Sequence, residues 1–91
     1  AQEVEDLLFA MTSIADATVI GLPDARTGEA VCAVVVTTSG ATVTLESVQT
    51  ALVDAGLRRQ AAPSRLEVVD ALPRNPAGKV QKRELQQRFG E

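Results

Sequence analysis

Between Glu29 and Thr38 the chain runs Ala30, Val31, Cys32, Ala33, Val34, Val35, Val36 without a polar break. Side chains alternate along a strand, so Val31, Ala33 and Val35 share one face and Cys32, Val34 and Val36 the other. Both faces are apolar, which predicts a central strand with helices packed on each side. A second β-branched run, Ala17 to Leu22, precedes it and stops at Pro23. The segment Pro23-Asp-Ala-Arg-Thr-Gly28 is turn chemistry, with Asp24 and Glu29 read as turn and strand-start residues. A loop of this size predicts antiparallel pairing of the two strands. Leu66 to Val69 gives a third short strand.

Helical periodicity marks the remainder. Val4, Leu7, Leu8 and Met11 fall at i, i+3, i+4 and i+7, predicting an amphipathic helix from Ala1 to about Met11. Thr44, with Ser47 three residues on, is an N-cap; Val48, Leu52 and Ala55 form the core face of a second helix, and Gly56 ends it. From Val80 onward the residues favour a third, with Leu85 and Phe89 as its apolar stripe. The fold class is therefore α+β: a small, mainly antiparallel sheet of about three strands, with two or three helices on both faces. At 91 residues the chain makes one domain. Phe9 and Phe89 are its only aromatics, so Val, Leu and Ala fill the core.

Several functions are excluded by composition. Histidine is absent, which removes histidine-based acid/base catalysis and histidine metal ligation; no metal site is read. Cys32 is alone, with no base near it in sequence, and reads as a small buried hydrophobe in a reducing cytoplasm. No signal peptide is read in these residues, and no apolar run reaches membrane-spanning length. The net charge of −3 hides an asymmetry: residues 1–55 carry one base against eight acids, and residues 56–91 eight bases against four acids. The basic half suits an anionic ligand. RNA is such a ligand, but base-stacking aromatics are missing there apart from Phe89, whose spacing is that of a core residue, so no nucleic-acid binding is read.

One basic residue stands apart. In Leu72-Pro-Arg-Asn-Pro-Ala-Gly-Lys79, Pro73 and Pro76 withhold backbone donors, Asn75 favours a turn, and Gly78 opens a conformation closed to other residues. Lys79 is thus presented on a loop just before a helix. Taken alone, a loop lysine is most often simply solvated. A phosphate-cradling P-loop is excluded, because Pro73 stands where that motif needs glycine and Val80 where it needs Ser or Thr.

The segment resembles the C-terminal motif of the AMP-forming acyl-CoA synthetases, the superfamily that also holds luciferases and peptide-synthetase adenylation domains. Pro73, Arg74, Asn75, Gly78, Lys79, Lys82 and Leu85 occupy the motif's positions. Ile20-Gly-Leu-Pro-Asp24 and Thr27-Gly-Glu-Ala-Val31 look like the family's earlier block in the same small domain, so the resemblance covers nearly the whole chain. It implies that residues 1–91 are the C-terminal lid of an adenylate-forming enzyme, beginning just inside that domain, with the large N-terminal domain and the hinge outside the sequence. Lys79 would be the catalytic lysine, holding the carboxylate and the α-phosphate of ATP as acyl-AMP and pyrophosphate form. Arg74, Asn75, Gly78 and Lys82 would support the nucleotide loop, and Gly21, Pro23, Gly28 and Glu29 would lie on the coenzyme A side. In the family this domain closes for adenylation and then swivels for thioester formation.

The implied substrates are ATP, a carboxylic acid and coenzyme A, with Mg2+ bound by the large domain. The sequence from Lys79 to Leu85 looks more like a fatty-acid or other carboxylate CoA ligase than a peptide-synthetase domain, since Gln81 stands where the latter carries aspartate. An acyl-AMP ligase serving a carrier protein, and a non-catalytic regulatory or interaction domain of the same fold, remain as alternatives. Lys79 is also the position at which a protein lysine acetyltransferase would abolish the charge. The loop from Leu57 to Pro63 departs from the family: Arg58 replaces a small residue and Gln60 an aromatic one.

Overall fold

The computed structural model describes residues 2–24 and 28–90. The order of elements is α1 (Gln2–Phe9), β1 (Ile14–Asp24), β2 (Gly28–Thr37), α2 (Leu45–Asp54), a 3-10 turn (Arg59–Ala61), β3 (Arg65–Val68) and α3 (Lys82–Phe89). The three strands form one sheet in the order β1-β2-β3. β2 is central, as its two-faced apolar pattern predicts. It pairs antiparallel with β1, from Ile14 opposite Thr37 to Asp24 opposite Gly28, and parallel with β3, from Cys32 opposite Arg65 to Val35 opposite Val68. The parallel pair follows from connectivity: α2 lies in the crossover, which returns the chain to the same end of the sheet.

Each face of the sheet has its own core. On one, Ala17, Val19, Ala33 and Val35 meet Val4 and Leu8 of α1 and Val48 and Leu52 of α2. On the other, Ile20, Leu22, Cys32 and Val34 meet Leu85 of α3, with Val36, Val80 and Phe89 packed at the margin. Cys32 is fully buried, and burial pushes its thiol up to about 11 from an ordinary 9.0. Val31 departs from the predicted pattern and is exposed. α2 opens on a capping box in which Thr44 Oγ1 accepts from Ser47 N–H at 3.1 Å and Ser47 Oγ accepts from Thr44 N–H at 3.0 Å. Ala55, assigned to its core face by periodicity, is exposed instead, because the helix stops at Asp54 and Ala55 is its C-cap. Leu57 and Pro63 are buried and frame the 3-10 turn, while Arg58 and Gln60 point outward.

β1 is longer than predicted at both ends. It runs through Pro23 because it is an edge strand, where a missing backbone donor breaks no ladder bond. Near its start the register shifts between Ile14 and Asp16, so Ala15 is an extra residue. This bulge lets Ile14 and Ala17, three apart, enter the same core, and turns Asp16 to the other side. The predicted turn residues Ala25, Arg26 and Thr27 lie outside the described residues, as do the side chain of Asp24 and the first predicted helical residue, Ala1.

Candidate functional site: the lysine loop

Leu72 is buried and Val80 half-buried, so both stems of the loop are seated in the second core. Between them Arg74 and Val80 form an isolated antiparallel bridge, and Gln81 N–H donates to the Pro73 carbonyl at 2.8 Å. The tip is closed by Asn75. Its Oδ1 accepts from both Ala77 N–H and Lys79 N–H at 3.0 Å, and its carbonyl accepts from Gly78 N–H at 2.8 Å. Gly78 sits at φ 86°, a left-handed conformation that glycine adopts without penalty. Prolines, the asparagine and the glycine thus do locally what their chemistry predicts, and the product is a rigid tip with Lys79 exposed upon it.

Three cations surround this tip, and two of them are paired. Arg74 Nη2 donates to both carboxylate oxygens of Asp16, at 2.7 and 2.9 Å, while its Nη1 donates to the Gly78 carbonyl at 2.7 Å. Lys82 Nζ lies 3.1 Å from Glu5 Oε2, which also accepts from Thr18 Oγ1 at 2.9 Å and from Val19 N–H at 2.8 Å. Burial alone would raise the Glu5 carboxyl; the bonds from Val19, Lys82 and Thr18 outweigh it and hold the group below its ordinary value. Lys79 is the third cation. Among the described residues its ammonium has no hydrogen-bond or ion-pair partner. It borders an open groove of about 370 Å³ together with Arg74, Lys82, Glu5, Thr18 and Phe9. Phe9 is half exposed there, at 51%.

Gly21, Pro23, Gly28 and Glu29 also come together, lining a second groove with Gln86, Gln87 and Gly90. Gly21 lies against the Glu29 carboxylate, so a Cβ there would oblige that exposed side chain to move aside. Gln86 Nε2 donates to the Gly21 carbonyl at 3.1 Å, pinning α3 beside this groove. The two groups sit at different places along β1, Thr18 beside the lysine and Pro23 in the second groove. Five residues of strand separate these by roughly 17 Å.

Two carboxylates that pair the cations of the lysine loop were not anticipated from sequence. Asp16 is concealed by the bulge, which breaks the alternation at Ile14-Ala15-Asp16. Glu5 lies beside the apolar stripe of α1, and a carboxylate so close to Val4 and Leu8 is the signal that marks it. No cluster of three His, Cys, Asp or Glu side chains among the described residues is placed to hold a metal ion. No helix among them is long and apolar enough to cross a membrane.

Comparison with known proteins matches the profile of the AMP-binding enzyme C-terminal domain to residues 3–79. The chain belongs to this family. Over 87 residues it is 41% identical to a fatty acid–[acyl-carrier-protein] ligase, ScoC, of Streptomyces coeruleorubidus, covering 96% of this chain and 17% of that protein. A 4-chlorobenzoate–CoA ligase of an Arthrobacter species is 40% identical over 90 residues, covering 99% and 17%. Among solved structures, apo MatB from Rhodopseudomonas palustris superposes with a TM-score of 0.90 at 40% identity, covering 99% of this chain and 18% of that one. The chain therefore spans under a fifth of the length of these relatives. They include both CoA ligases and carrier-protein ligases, and a pyochelin synthase and a triostin synthetase match as well.

Proposed function

We propose that this domain is the mobile lid of an AMP-forming acid–thiol ligase, and that Lys79 is its adenylation lysine. The enzyme would join a carboxylic acid to ATP, giving acyl-AMP and pyrophosphate, and then pass the acyl group to a thiol. One observation carries the reading: Arg74 and Lys82 are held by carboxylates of the domain itself, and the Lys79 ammonium alone is left on a rigid tip without a partner among the described residues. A compact cation presented in this way suits charge developing on carboxylate and phosphoryl oxygens. Arg74, Asn75, Gly78 and Lys82 act through the loop's shape. Gly21, Pro23, Gly28 and Glu29, at the other end of β1, form the face turned to the thiol substrate after the domain reorients.

A large N-terminal domain would supply the acyl pocket and the ATP site with its Mg2+, which accords with the small share of the relatives' length that the chain covers. The 91 residues alone are expected to show no acid-dependent ATP turnover. The thiol is coenzyme A or the arm of a carrier protein, since relatives of both kinds match; the acid is a fatty acid or another carboxylate. ATP and coenzyme A as substrates and a free Cys32 fit a cytoplasmic enzyme.

The test is Lys79→Ala in the full-length enzyme, with adenylate formation and thioester formation from preformed acyl-adenylate assayed separately. Adenylation should fall by roughly 10²–10³ or more with the second step intact. Persistence of both would make Lys79 a surface residue and favour a non-catalytic interaction domain. The exposed Lys79 is also open to a protein lysine acetyltransferase, and acylation would disable the same step. Mass analysis of Lys79 after incubation with acyl donor and acetyltransferase checks this.

A further inference from the structure

We propose that Asp16 is a positioning residue for Lys79, acting through Arg74. The proposal rests on the reading of Lys79 as the adenylation lysine. One peptide unit, the planar group that joins the Gly78 carbonyl to the Lys79 N–H, governs the course of the lysine. Both of its polar ends are held. The oxygen accepts from Arg74 Nη1 at 2.7 Å, and the N–H donates to Asn75 Oδ1 at 3.0 Å. A peptide plane fixed at both ends sets the direction in which the Lys79 side chain leaves the backbone.

The two holds differ in what they refer to. Asn75 belongs to the loop, so its bonds fix the shape of the tip and move with it. Arg74 refers the tip to the sheet, because the other side of its guanidinium is bound to Asp16 on β1. The guanidinium is planar and rigid, so the carboxylate and the Gly78 carbonyl stand at a fixed angle about it. Asp16 is in turn fixed by the Ala17 N–H, which donates to Oδ1 at 3.0 Å, and by the bulge at Ala15, which turns it out of the core. The stems of the loop are seated by Leu72 and Val80, but its tip is tied to the sheet by this pair.

A stabilising role for the pair would be small. The Arg74 and Asp16 side chains are 41% and 25% exposed, and ion pairs at such exposure contribute little to folding. Its loss should therefore appear in the placement of Lys79 more than in the melting of the fold. Displacing a reacting group by about 1 Å slows chemistry by as much as ~10²-fold.

The experiment compares Asp16→Asn, Lys79→Ala and the double variant in the full-length enzyme. Asp16→Asn keeps the shape and removes the charge. It should lower the adenylation kcat by about tenfold to a hundredfold with little change in KM for ATP and acid, and leave thioester formation from preformed adenylate at the wild-type rate. On the Lys79→Ala background it should cost nothing further, because a positioning residue has nothing left to position. Hydrogen exchange over the peptide from Arg74 to Gln81 should quicken while β2 stays protected. A wild-type adenylation rate in Asp16→Asn, or equal losses with and without Lys79, would overturn the proposal and leave the reading of Lys79 standing. A wild-type rate in Lys79→Ala would remove that reading, and the proposal with it.

Discussion

Asn75 and Lys79 are bonded to each other twice: Asn75 N–H donates to the Lys79 carbonyl at 3.0 Å, and Lys79 N–H donates to Asn75 Oδ1 at 3.0 Å. The backbone of the lysine is thereby fixed by a residue four positions away while its ammonium is left to solvent. Asn75→Ala removes the acceptor for two backbone donors. It should cost about 1 kcal/mol of stability in urea unfolding, since both donors become open to water. Adenylation by the full-length enzyme should slow about tenfold or more, and Asn75→Asp, which keeps the acceptor, should retain most of the rate.

Gly78→Ala separates backbone strain from crowding. Nothing lies within 4 Å of a Cβ built at Gly78, so the φ of 86° is the sole source of cost. That cost is about 1–2 kcal/mol, read as a lower midpoint in thermal unfolding. Relief of the strain would twist the tip, so adenylation should fall by more than the stability loss implies.

Glu5 predicts a pH dependence. Its folded-state carboxyl titrates below the ordinary 4.5, so the unfolded chain binds protons first as pH falls. Its stabilising contribution is fully present above that ordinary value and is lost as pH drops through the lower folded one. Glu5→Gln should therefore destabilise the domain by about 1–3 kcal/mol at neutral pH. The gap between wild type and variant in urea unfolding should close as pH falls below the ordinary carboxylate range.

Cys32 is predicted to be inert in the folded chain. It is fully buried and its thiol is pushed up to about 11, so at neutral pH neither access nor thiolate is available. A thiol reagent should label it only at the rate of unfolding, with full labelling in denaturant. Cys32→Ser, which leaves a hydroxyl in the apolar core, should cost about 1–3 kcal/mol.

Local chemistry was legible in the sequence, and long-range geometry was not. The two-faced run of β2, the box of Thr44 and Ser47, the Leu85 and Phe89 stripe, and the turn built by Asn75 and Gly78 are each written within a few neighbouring residues, and, the exposed Val31 apart, each folds as its chemistry predicts. Pro23 misleads because a proline inside a strand reads as its end; only an edge position, which no local pattern reveals, makes it harmless. The bulge at Ala15 hides Asp16 in the same way. The direction of β3 depends on where the crossover through α2 lands. Arg74 reads as a loop cation, but its partner is 58 residues away, and no spacing rule joins them. The lysine loop was therefore visible from its own residues, and the pairing of its neighbouring cations with Asp16 and Glu5 was visible only in three dimensions.

The outer margin of β1 has a further consequence. Ala17 N–H is taken by Asp16, Val19 N–H by Glu5 and the Gly21 carbonyl by Gln86, while Pro23, on the same side, has no N–H to offer. The outer side of this strand is thus partly occupied by side chains of β1 itself and of the helices α1 and α3, which leaves a foreign strand fewer vacancies there. What is left open to strand addition is the far side of β3, only four residues long. A domain whose long border is partly occupied in this way can turn against a larger neighbour, or be expressed apart from it, with less of the β-aggregation that a fully open border of that length would seed.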